Sequence, residues 1–285
     1  MLTVLEIIKK TTDFFVAKGV ENARLNAELL VGHGLGLKRM QLYLQFERVL
    51  KEAELEVIRP LVRRRAQREP LQYIVGETEF FGLKLKTDRR ALIPRPETEY
   101  LLELVVARMV KPPDRILDLG TGSGAIALAL AKHYAAAQVT AVDVSLEALG
   151  LASENMLFSG LMDRVTWIQS SWFGGLEPGA IFDLIVANPP YLSARETAET
   201  APEVRDHEPS GALTSAGAEG LADLESIIRS APAFLSPGGL LALETGISQH
   251  GALKEIAVIA GLGPTESLPD LTGRDRYFLA RAPAA

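Results

Sequence analysis

Two short segments of the 285-residue chain combine residue types that could do chemistry, and the first is a glycine loop. The run DLGTGSG, at 118–124, lies between a short apolar stretch and an alanine-rich helical pattern. Glycine lets a backbone approach a ligand closely, and the start of a helix offers free N–H groups. A strand, a glycine turn and a helix in this order predict a site for a nucleotide-like cofactor.

The loop by itself leaves the cofactor open. Gly120, Gly122 and Ala125 satisfy the spacing G-x-G-x-x-A that is typical of NAD sites. Asp118 would repel a pyrophosphate, whereas its carboxylate suits the ammonium group of a methionine-like cofactor. Asp143 ends the next apolar run, and an acidic residue there can hydrogen-bond both ribose hydroxyls of either cofactor. Together these residues favour S-adenosyl-L-methionine over NAD.

The second segment is Asn188-Pro189-Pro190-Tyr191, which follows the apolar run FDLIVA. Consecutive prolines are stiff and lack N–H donors, but their carbonyl groups remain free to accept hydrogen bonds. The side chain of Asn188 adds a carbonyl oxygen and an amide. We therefore expect a rigid acceptor pocket for a planar NH2 group, with Tyr191 as its aromatic wall. The alternative is an ordinary turn that ends a strand.

The elements around these segments alternate between strands and helices. Short apolar runs predict strands at RILDL, QVTAVDV, RVTWIQ, FDLIVA and GLLALE, with RYFLAR as an edge strand. Helical stretches near 125–135, 146–158 and 222–234 separate most of them. This order predicts an α/β fold, with a mostly parallel sheet and helices on both faces. The polar segment 193–220 is long enough to be a lid.

The N-terminal part has a different pattern. Thr3 and Glu6 have capping-box spacing, and four amphipathic helices are predicted near 4–18, 23–31, 39–46 and 52–67. The aromatic and β-branched run 71–87, with Gly76 and Gly82 at turns, predicts a hairpin. We expect a small helical bundle that docks the substrate at 1–70, a β-hairpin linker at 71–95 and a catalytic domain at 96–285.

Composition excludes several classes of protein. The chain has no cysteine, which excludes thiolate metal sites and disulfides, and its four histidines show no ligand spacing, so no metal is expected. No signal peptide or membrane span is recognisable, which predicts a cytoplasmic protein without a membrane partner. The first 90 residues carry a net charge of +5 and the rest carry −11. An acidic body is not expected to bind nucleic acid broadly.

The motifs of the chain, taken in order, resemble one family. REPLQYIVGETEFFGL, LIPRPETE, NPPY, HEPSGAL and PDLTGRDRYF are similar to the HemK/PrmC family, which methylates N5 of the glutamine in the GGQ motif of class-1 peptide chain release factors. The resemblance covers nearly the whole chain and is weakest in residues 1–60. It implies a class I S-adenosylmethionine-dependent methyltransferase domain, Rossmann-like in fold, behind a small helical domain. It also implies the GGQ domain of release factors as partner.

The resemblance also implies roles for particular residues. Asp118 would hold the ammonium group of the cofactor, Asp143 its ribose, and Trp172 its adenine by stacking. Asn188 and the carbonyl of Pro189 would hold the glutamine amide, beside Pro190, with Tyr191 packed against it. Asn188 is expected to contact the cofactor as well. The methionine part would be wrapped by Gly120, Thr121, Gly122, Ser123 and Gly124.

Two alternatives remain open at this point. NPPY motifs also occur in nucleic-acid adenine-N6 methyltransferases, although these would be expected to carry a large basic recognition domain. The basic run of the fourth predicted helix is either a solvated face or a surface that docks a partner. It consists of Arg59, Arg63, Arg64, Arg65 and Arg68.

Overall fold

The computed structural model describes residues 2–284 and divides into two compact units. The first unit runs to Glu77 and includes the distant segment Ala201–His207. The second unit takes in Thr78–Thr200 and continues from Glu208. The polar segment 193–220, predicted from its length to be a lid, therefore contributes residues to both units. Within residues 2–284, no helix combines the length and the apolar character that crossing a membrane requires.

The first unit is a bundle of short helices. Thr3 caps the first of them as its spacing predicts: its backbone N–H donates to Glu6 Oε2 at 2.8 Å, and its hydroxyl accepts from the N–H of Glu6 at 3.3 Å. Ile8, Phe15 and Leu30 are fully buried and belong to the apolar core of the bundle. The helices are α1 (Val4–Ala17), α2 (Ala23–Leu35), α3 (Arg39–Tyr43), α4 (Glu52–Ala66), α5 (Leu71–Val75) and α10 (Pro202–Arg205).

The basic run of α4 and the residues just after it is divided: Arg59 and Arg63 are exposed, whereas the other three arginines have partners inside the unit. Arg65 is buried, and its guanidinium donates to Glu203 Oε1 at 2.9 Å and to Asn26 Oδ1 at 2.7 Å. Arg68 donates to both carboxylate oxygens of Glu203, at 2.8 and 2.7 Å. Arg64 pairs with Glu69. Arg64, Arg65 and Arg68 therefore form ion pairs inside the unit, because a buried guanidinium requires a partner.

One prediction for the segment after Pro70 is wrong. Leu71–Val75 was expected to join the hairpin, but it forms the short helix α5. Pro70 stands at its N-terminal cap with extended backbone, and Gly76 ends it at a φ of 82°. A proline before a helix and a glycine after it fix both ends, and this local preference outweighs the β-branched composition.

The second unit holds the hairpin and a mixed sheet. Over the described residues, seven strands form the sheet in the order β5-β4-β3-β6-β7-β9-β8, and the pairs from β5 to β7 are parallel. The strands are β1 (Glu77–Phe80) and β2 (Leu83–Lys86) of the hairpin, then β3 (Arg115–Leu119), β4 (Gln138–Asp143), β5 (Val165–Gln169), β6 (Phe182–Ala187), β7 (Leu235–Glu244), β8 (Thr265–Pro269) and β9 (Asp275–Arg281).

Helices cover both faces of this sheet, as the α/β pattern predicts. On β3, Ile116 packs into one apolar core and Leu117 into the other, since successive side chains of a strand point to opposite faces. Truncating such a fully buried leucine to alanine costs about 3 kcal/mol. The helices are α6 (Pro96–Arg108), α7 (Ala125–His133), α8 (Leu146–Phe158), α9 (Ala194–Glu199), α11 (Ala222–Ser230) and α12 (His250–Ile259).

The last strand corrects a second expectation. RYFLAR, predicted as an edge strand, lies in β9 between β7 and β8 and pairs with both in antiparallel fashion. The edge is β8, whose sequence TESLP has little apolar character and gave no strand signal. Tyr277 and Phe278 of β9 are fully buried, as interior pairing requires.

Candidate active site

A cavity of about 340 Å³ opens where the parallel strands end. The strand order reverses at β3, because β4 follows on one side of it while β6 lies on the other. At this boundary Leu119, the last residue of β3, is in register with Ala187, the last of β6. Ligands of open α/β sheets bind at such a reversal, beyond the carboxyl ends of the strands. The loops that follow β3 and β6 are the two chemistry-bearing segments of the sequence.

The glycine loop lines this cavity through Gly120, Thr121, Gly122 and Ser123. Its backbone is tied to β4, since the N–H groups of Gly120 and Thr121 both donate to the carbonyl of Val142 at 2.9 Å. Gly120 has a φ of 71°, and a Cβ atom there would lie 3.2 Å from Cζ3 of Trp172. Only glycine fits both the backbone angle and this close approach.

Asp118 lies beneath the loop, where it is fully buried and not part of the cavity lining. Its Oδ2 accepts from the hydroxyl of Thr121 at 2.5 Å and from the N–H of Ala127 at 3.0 Å. Its Oδ1 has no hydrogen-bond partner within residues 2–284. Burial raises the pKa of Asp118 to about 7. The described contacts therefore brace the loop, and the unpartnered oxygen is the one available to a cation.

Asp143 ends β4 and lines the cavity. Its Oδ2 accepts from the N–H of Gly122 at 2.8 Å, and its Oδ1 accepts from the N–H of Ser145 at 2.9 Å. Each carboxylate oxygen can accept more than one hydrogen bond, so both retain capacity for hydroxyl groups of a ligand. The side chain is thus fixed in position before any ligand binds.

Trp172 lines the cavity after β5, where the resemblance predicts the adenine side of the site. Its backbone has a φ of 48°, an uncommon conformation for a residue with a large side chain. The indole N–H donates to Asp223 Oδ1 at 3.2 Å, and Asp223 also lines the cavity. The ring is therefore held in one orientation, against Gly120.

The NPPY segment divides between the cavity and the protein interior. Asn188 and Pro190 line the cavity, whereas Pro189 is buried and, like Gly124, is not part of the lining. Tyr191 does not line it either, contrary to the expectation of an aromatic wall. Its hydroxyl donates to Glu244 Oε1 at 3.1 Å, and the guanidinium of Arg276 lies 5.5 Å from its ring centre. Burial and the nearby Glu244 raise the pKa of Tyr191.

Sequence reasoning missed a group of polar residues around the NPPY segment. Thr98, on α6, lines the cavity and is bonded to Asn188. Glu208 is buried, and it accepts from the N–H of Ile93 at 3.2 Å and from Arg95 Nη2 at 2.5 Å. Glu244 ends β7, and a charged residue closing the apolar run GLLALE was the available signal. Thr98 lies within LIPRPETE, which carried the resemblance but suggested no contact, whereas Glu208 lies in the segment 193–220 that was predicted to be a lid.

The residues present fit S-adenosyl-L-methionine better than a dinucleotide. Two carboxylates, Asp118 and Asp143, stand at the glycine loop, and Asp118 Oδ1 is a buried acceptor without a partner in the described chain. These two negatively charged hydrogen-bond acceptors favour a cationic ligand that carries hydroxyl groups and disfavour a pyrophosphate. Within the described residues, no cluster of three or more histidine, aspartate or glutamate side chains is placed to hold a metal ion.

Comparison with known proteins identifies the domains and the fold. The model of the PrmC N-terminal domain matches residues 6–76, and that of the methyltransferase small domain matches residues 97–218. A methyltransferase structure from Pyrococcus furiosus superimposes with a TM-score of 0.54 at 21% identity, over 72% of this chain and 91% of that one. An rRNA methyltransferase from T. thermophilus, solved with AdoMet and guanosine, gives 0.53 at 22%, over 72% and 49%. The fold is that of a class I S-adenosylmethionine-dependent methyltransferase.

Relatives that match this chain over nearly their whole length identify its family more specifically than the fold does. A protein of Rhodopirellula baltica described as a release factor glutamine methyltransferase is 42% identical over 93% of this chain and 95% of its own length. One of Deinococcus radiodurans with the same description is also 42% identical, over 97% of each chain. The chain belongs to the family of release factor glutamine methyltransferases, which confirms the resemblance seen in the motifs.

Proposed function

We propose that this chain transfers a methyl group from S-adenosyl-L-methionine to N5 of the glutamine in the GGQ motif of class-1 peptide chain release factors. One observation carries the proposal: Asn188 lines the same cavity as the glycine loop and Asp143, at the point where the strand order reverses. Family membership supports the choice of glutamine over adenine. The net charge of −6 also argues against nucleic acid as the substrate.

The cofactor is held by the ends of β3, β4 and β5. Gly120, Thr121, Gly122, Ser123 and Gly124 would wrap its methionine part, and Asp118, whose buried Oδ1 has no partner in the described chain, would hold its ammonium group. Asp143 accepts from the ribose hydroxyls, and Trp172 stacks on the adenine. When bound, S-adenosyl-L-methionine would supply the methyl group: the N–CH3 bond forms in line as the S–CH3 bond breaks, and the sulfonium leaves as a neutral thioether. The methylated amide nitrogen then loses one of its N–H protons to water, and no covalent enzyme intermediate is needed.

Asn188 and Pro189 hold the nitrogen that receives the methyl group. An amide nitrogen is a poor nucleophile because its lone pair is delocalised into the carbonyl. The side-chain oxygen of Asn188 and the carbonyl of Pro189 accept from its two N–H groups and so favour positive charge on the nitrogen during attack. They also fix its direction, which by itself lowers a barrier by several kcal/mol. Pro190 adds a rigid wall beside them.

The helical unit at the N-terminus is proposed to dock the release factor. Two of its apolar side chains, Met40 and Leu44, are 72% and 81% exposed, as a surface that meets a partner requires. Arg64, Arg65 and Arg68 are not proposed for this role, because they are paired within the unit. A release factor acts in translation, so we place the reaction in the cytoplasm.

Tritiated S-adenosyl-L-methionine tests the proposal directly. Purified release factor, its variant with alanine in place of the GGQ glutamine, and unmethylated DNA are offered to the enzyme separately. Label on the wild-type factor alone is expected. Label on the alanine variant would move the methylated position elsewhere in the factor. Label on DNA instead would leave the fold and the cofactor in place but replace glutamine by adenine as the acceptor.

A further inference from the structure

A chain of hydrogen bonds runs from the cavity into the protein behind Asn188. Asn188 Nδ2 donates to Thr98 Oγ1 at 3.0 Å, and the hydroxyl of Thr98 donates to Glu244 Oε2 at 2.6 Å. The other carboxylate oxygen of Glu244 accepts from the hydroxyl of Tyr191 at 3.1 Å. Three segments far apart in the sequence thus meet behind one side chain of the site.

The proton order along this chain has one direction. With Glu244 ionised, its carboxylate only accepts, so the single proton of the Thr98 hydroxyl is committed to the 2.6 Å bond with Oε2. Thr98 Oγ1 can then only accept a hydrogen bond from Asn188, so the amide nitrogen Nδ2 of Asn188 must point toward Thr98. The two ends of a carboxamide cannot be exchanged without breaking this bond. The oxygen of Asn188 is left on the opposite edge, where it is free to accept a hydrogen bond in the cavity.

The members of this chain are held firmly. Thr98 is 4% exposed in the first turn of α6, and Glu244 is 2% exposed at the end of β7. Asn188 follows β6 directly, and the last pair of the β6–β7 ladder joins Ala187 to Leu243. Burial raises the pKa of Glu244, while the hydrogen bond from Thr98 and the nearby guanidinium of Arg276 act in the opposite direction. Buried networks whose members are all paired keep one geometry.

We propose that Thr98 and Glu244 are positioning residues that orient the carboxamide of Asn188, with its oxygen toward the acceptor amide. The inference rests on the proposed function, because it gives Asn188 the task of accepting an N–H from the substrate nitrogen. It adds that the direction of this acceptor is set by a carboxylate that does not line the cavity. Reversal of the Asn188 amide would present two donors to the N–H groups of the substrate.

Single variants with a conservative counterpart test the proposal. Thr98→Val keeps the shape of the side chain but removes the hydroxyl, and kcat is expected to fall about tenfold, as for loss of one orienting hydrogen bond. The Kd of S-adenosyl-L-methionine should stay within about twofold, and Thr98→Ser should restore most of kcat. Glu244→Gln should also lower kcat, because its amide can donate to Thr98 and reverse the proton order. It serves as the second probe if Thr98→Val fails to fold.

The chain offers a matched control at the opposite end of the same two strands. Ser236, near the start of β7, donates its hydroxyl to Asp183 Oδ1 on β6 at 2.8 Å. Ser236→Ala removes a hydroxyl-to-carboxylate bond of the same kind, far from Asn188, and should leave kcat unchanged. An equal fall of kcat in Ser236→Ala would mean that the loss in Thr98→Val reflects general destabilisation of β7 and not the orientation of Asn188, and it would overturn the inference.

A double-mutant cycle separates positioning from a general effect. If Thr98 acts through Asn188, Thr98→Val should lower kcat less than about twofold once Asn188 is alanine. An equal loss in both backgrounds, or a parallel loss of cofactor affinity, would overturn the inference. Failure of the proposed function gives a different result, since the wild-type enzyme would then leave the release factor unlabelled. The same cycle run on the acceptor that does take label would still decide the role of Thr98.

Discussion

The cavity has a cofactor half, at the glycine loop, and a substrate half, at the NPPY segment. Each half is backed by a buried carboxyl group, but the two groups are bonded in different ways. Asp118, under the glycine loop, is bonded to Thr121 and Ala127, both within nine residues of it. Glu244, behind the NPPY segment, is bonded to Thr98 and Tyr191, which lie 146 and 53 residues away. The carboxylate under the glycine loop is therefore held by neighbours in the chain, whereas the one behind the NPPY segment is held by contacts that only the tertiary fold creates.

This difference predicts that the two halves fail separately. The largest effect is expected for Asn188→Ala, which removes the acceptor for the substrate amide. The kcat for release factor methylation should fall about 100-fold or more, the size seen when one preorganised group that stabilises developing charge is lost. The Kd of S-adenosyl-L-methionine, measured by titration calorimetry, should change less than about threefold. Equal losses of kcat and affinity would contradict the separation.

Asp143→Ala should produce the opposite result. It removes a ribose acceptor and leaves the N–H groups of Gly122 and Ser145 without their partner. Hydrogen bonds to a charged group contribute about 1.5–3 kcal/mol, so the Kd of S-adenosyl-L-methionine should rise about 30-fold. At saturating cofactor, kcat should remain within a few-fold of the wild-type value. Steady-state kinetics at several cofactor concentrations distinguishes a loss of cofactor affinity from a loss of kcat.

Asp118→Asn should change how stability depends on pH. Since the folded pKa of Asp118, about 7, lies above the ordinary value of 3.8, its contribution to stability is fully present below about pH 4 and is lost as pH rises through about 7. The asparagine variant lacks this titration. Its free energy of unfolding should decline less steeply between pH 4 and 7, by up to about 1.4 kcal/mol per pH unit. Identical slopes in urea titrations of the free proteins would show that Asp118 is ionised in the folded state.

The smallest effect is expected for Trp172→Phe. An aromatic face remains, but the indole N–H bond to Asp223 is lost, so the Kd of the cofactor should rise about threefold with kcat unchanged. Trp167, on the neighbouring β5, packs against the core beside α7 and does not line the cavity. Trp167→Phe is the matched control and should leave the Kd unchanged. A similar rise in both variants would point to packing instead of cofactor contact.

Much of the cofactor half follows from the sequence alone. The spacing of Asp118, Gly120 and Asp143 predicted a glycine loop, an acidic residue below it and another at the end of the next strand. All of these interactions depend on short separations in the chain, or on the rule that parallel strands end at one edge. The order of the motifs also predicted the family. For the same reason the α/β architecture and the helical bundle could be predicted from local patterns.

Other features depend on contacts that no local pattern encodes. Arg65 looked like part of a solvated face, and only the fold brings Glu203 to it, 138 residues away. Tyr191 was expected to face the substrate, but burial directs its hydroxyl to Glu244. Hydrophobic periodicity reports which face of an element is buried and not which partner covers it.

The sequence by itself predicted that the glycine loop and the NPPY segment, which is proposed to bind the substrate amide, follow two strands of one sheet. The tertiary structure decided how the carboxamide of Asn188 is oriented, because Thr98 and Glu244 reach it from α6 and from the end of β7. The physical reason is that a glycine turn and a helix start are set by backbone preferences of adjacent residues. A buried hydrogen-bonded chain forms only when distant segments pack together and exclude water.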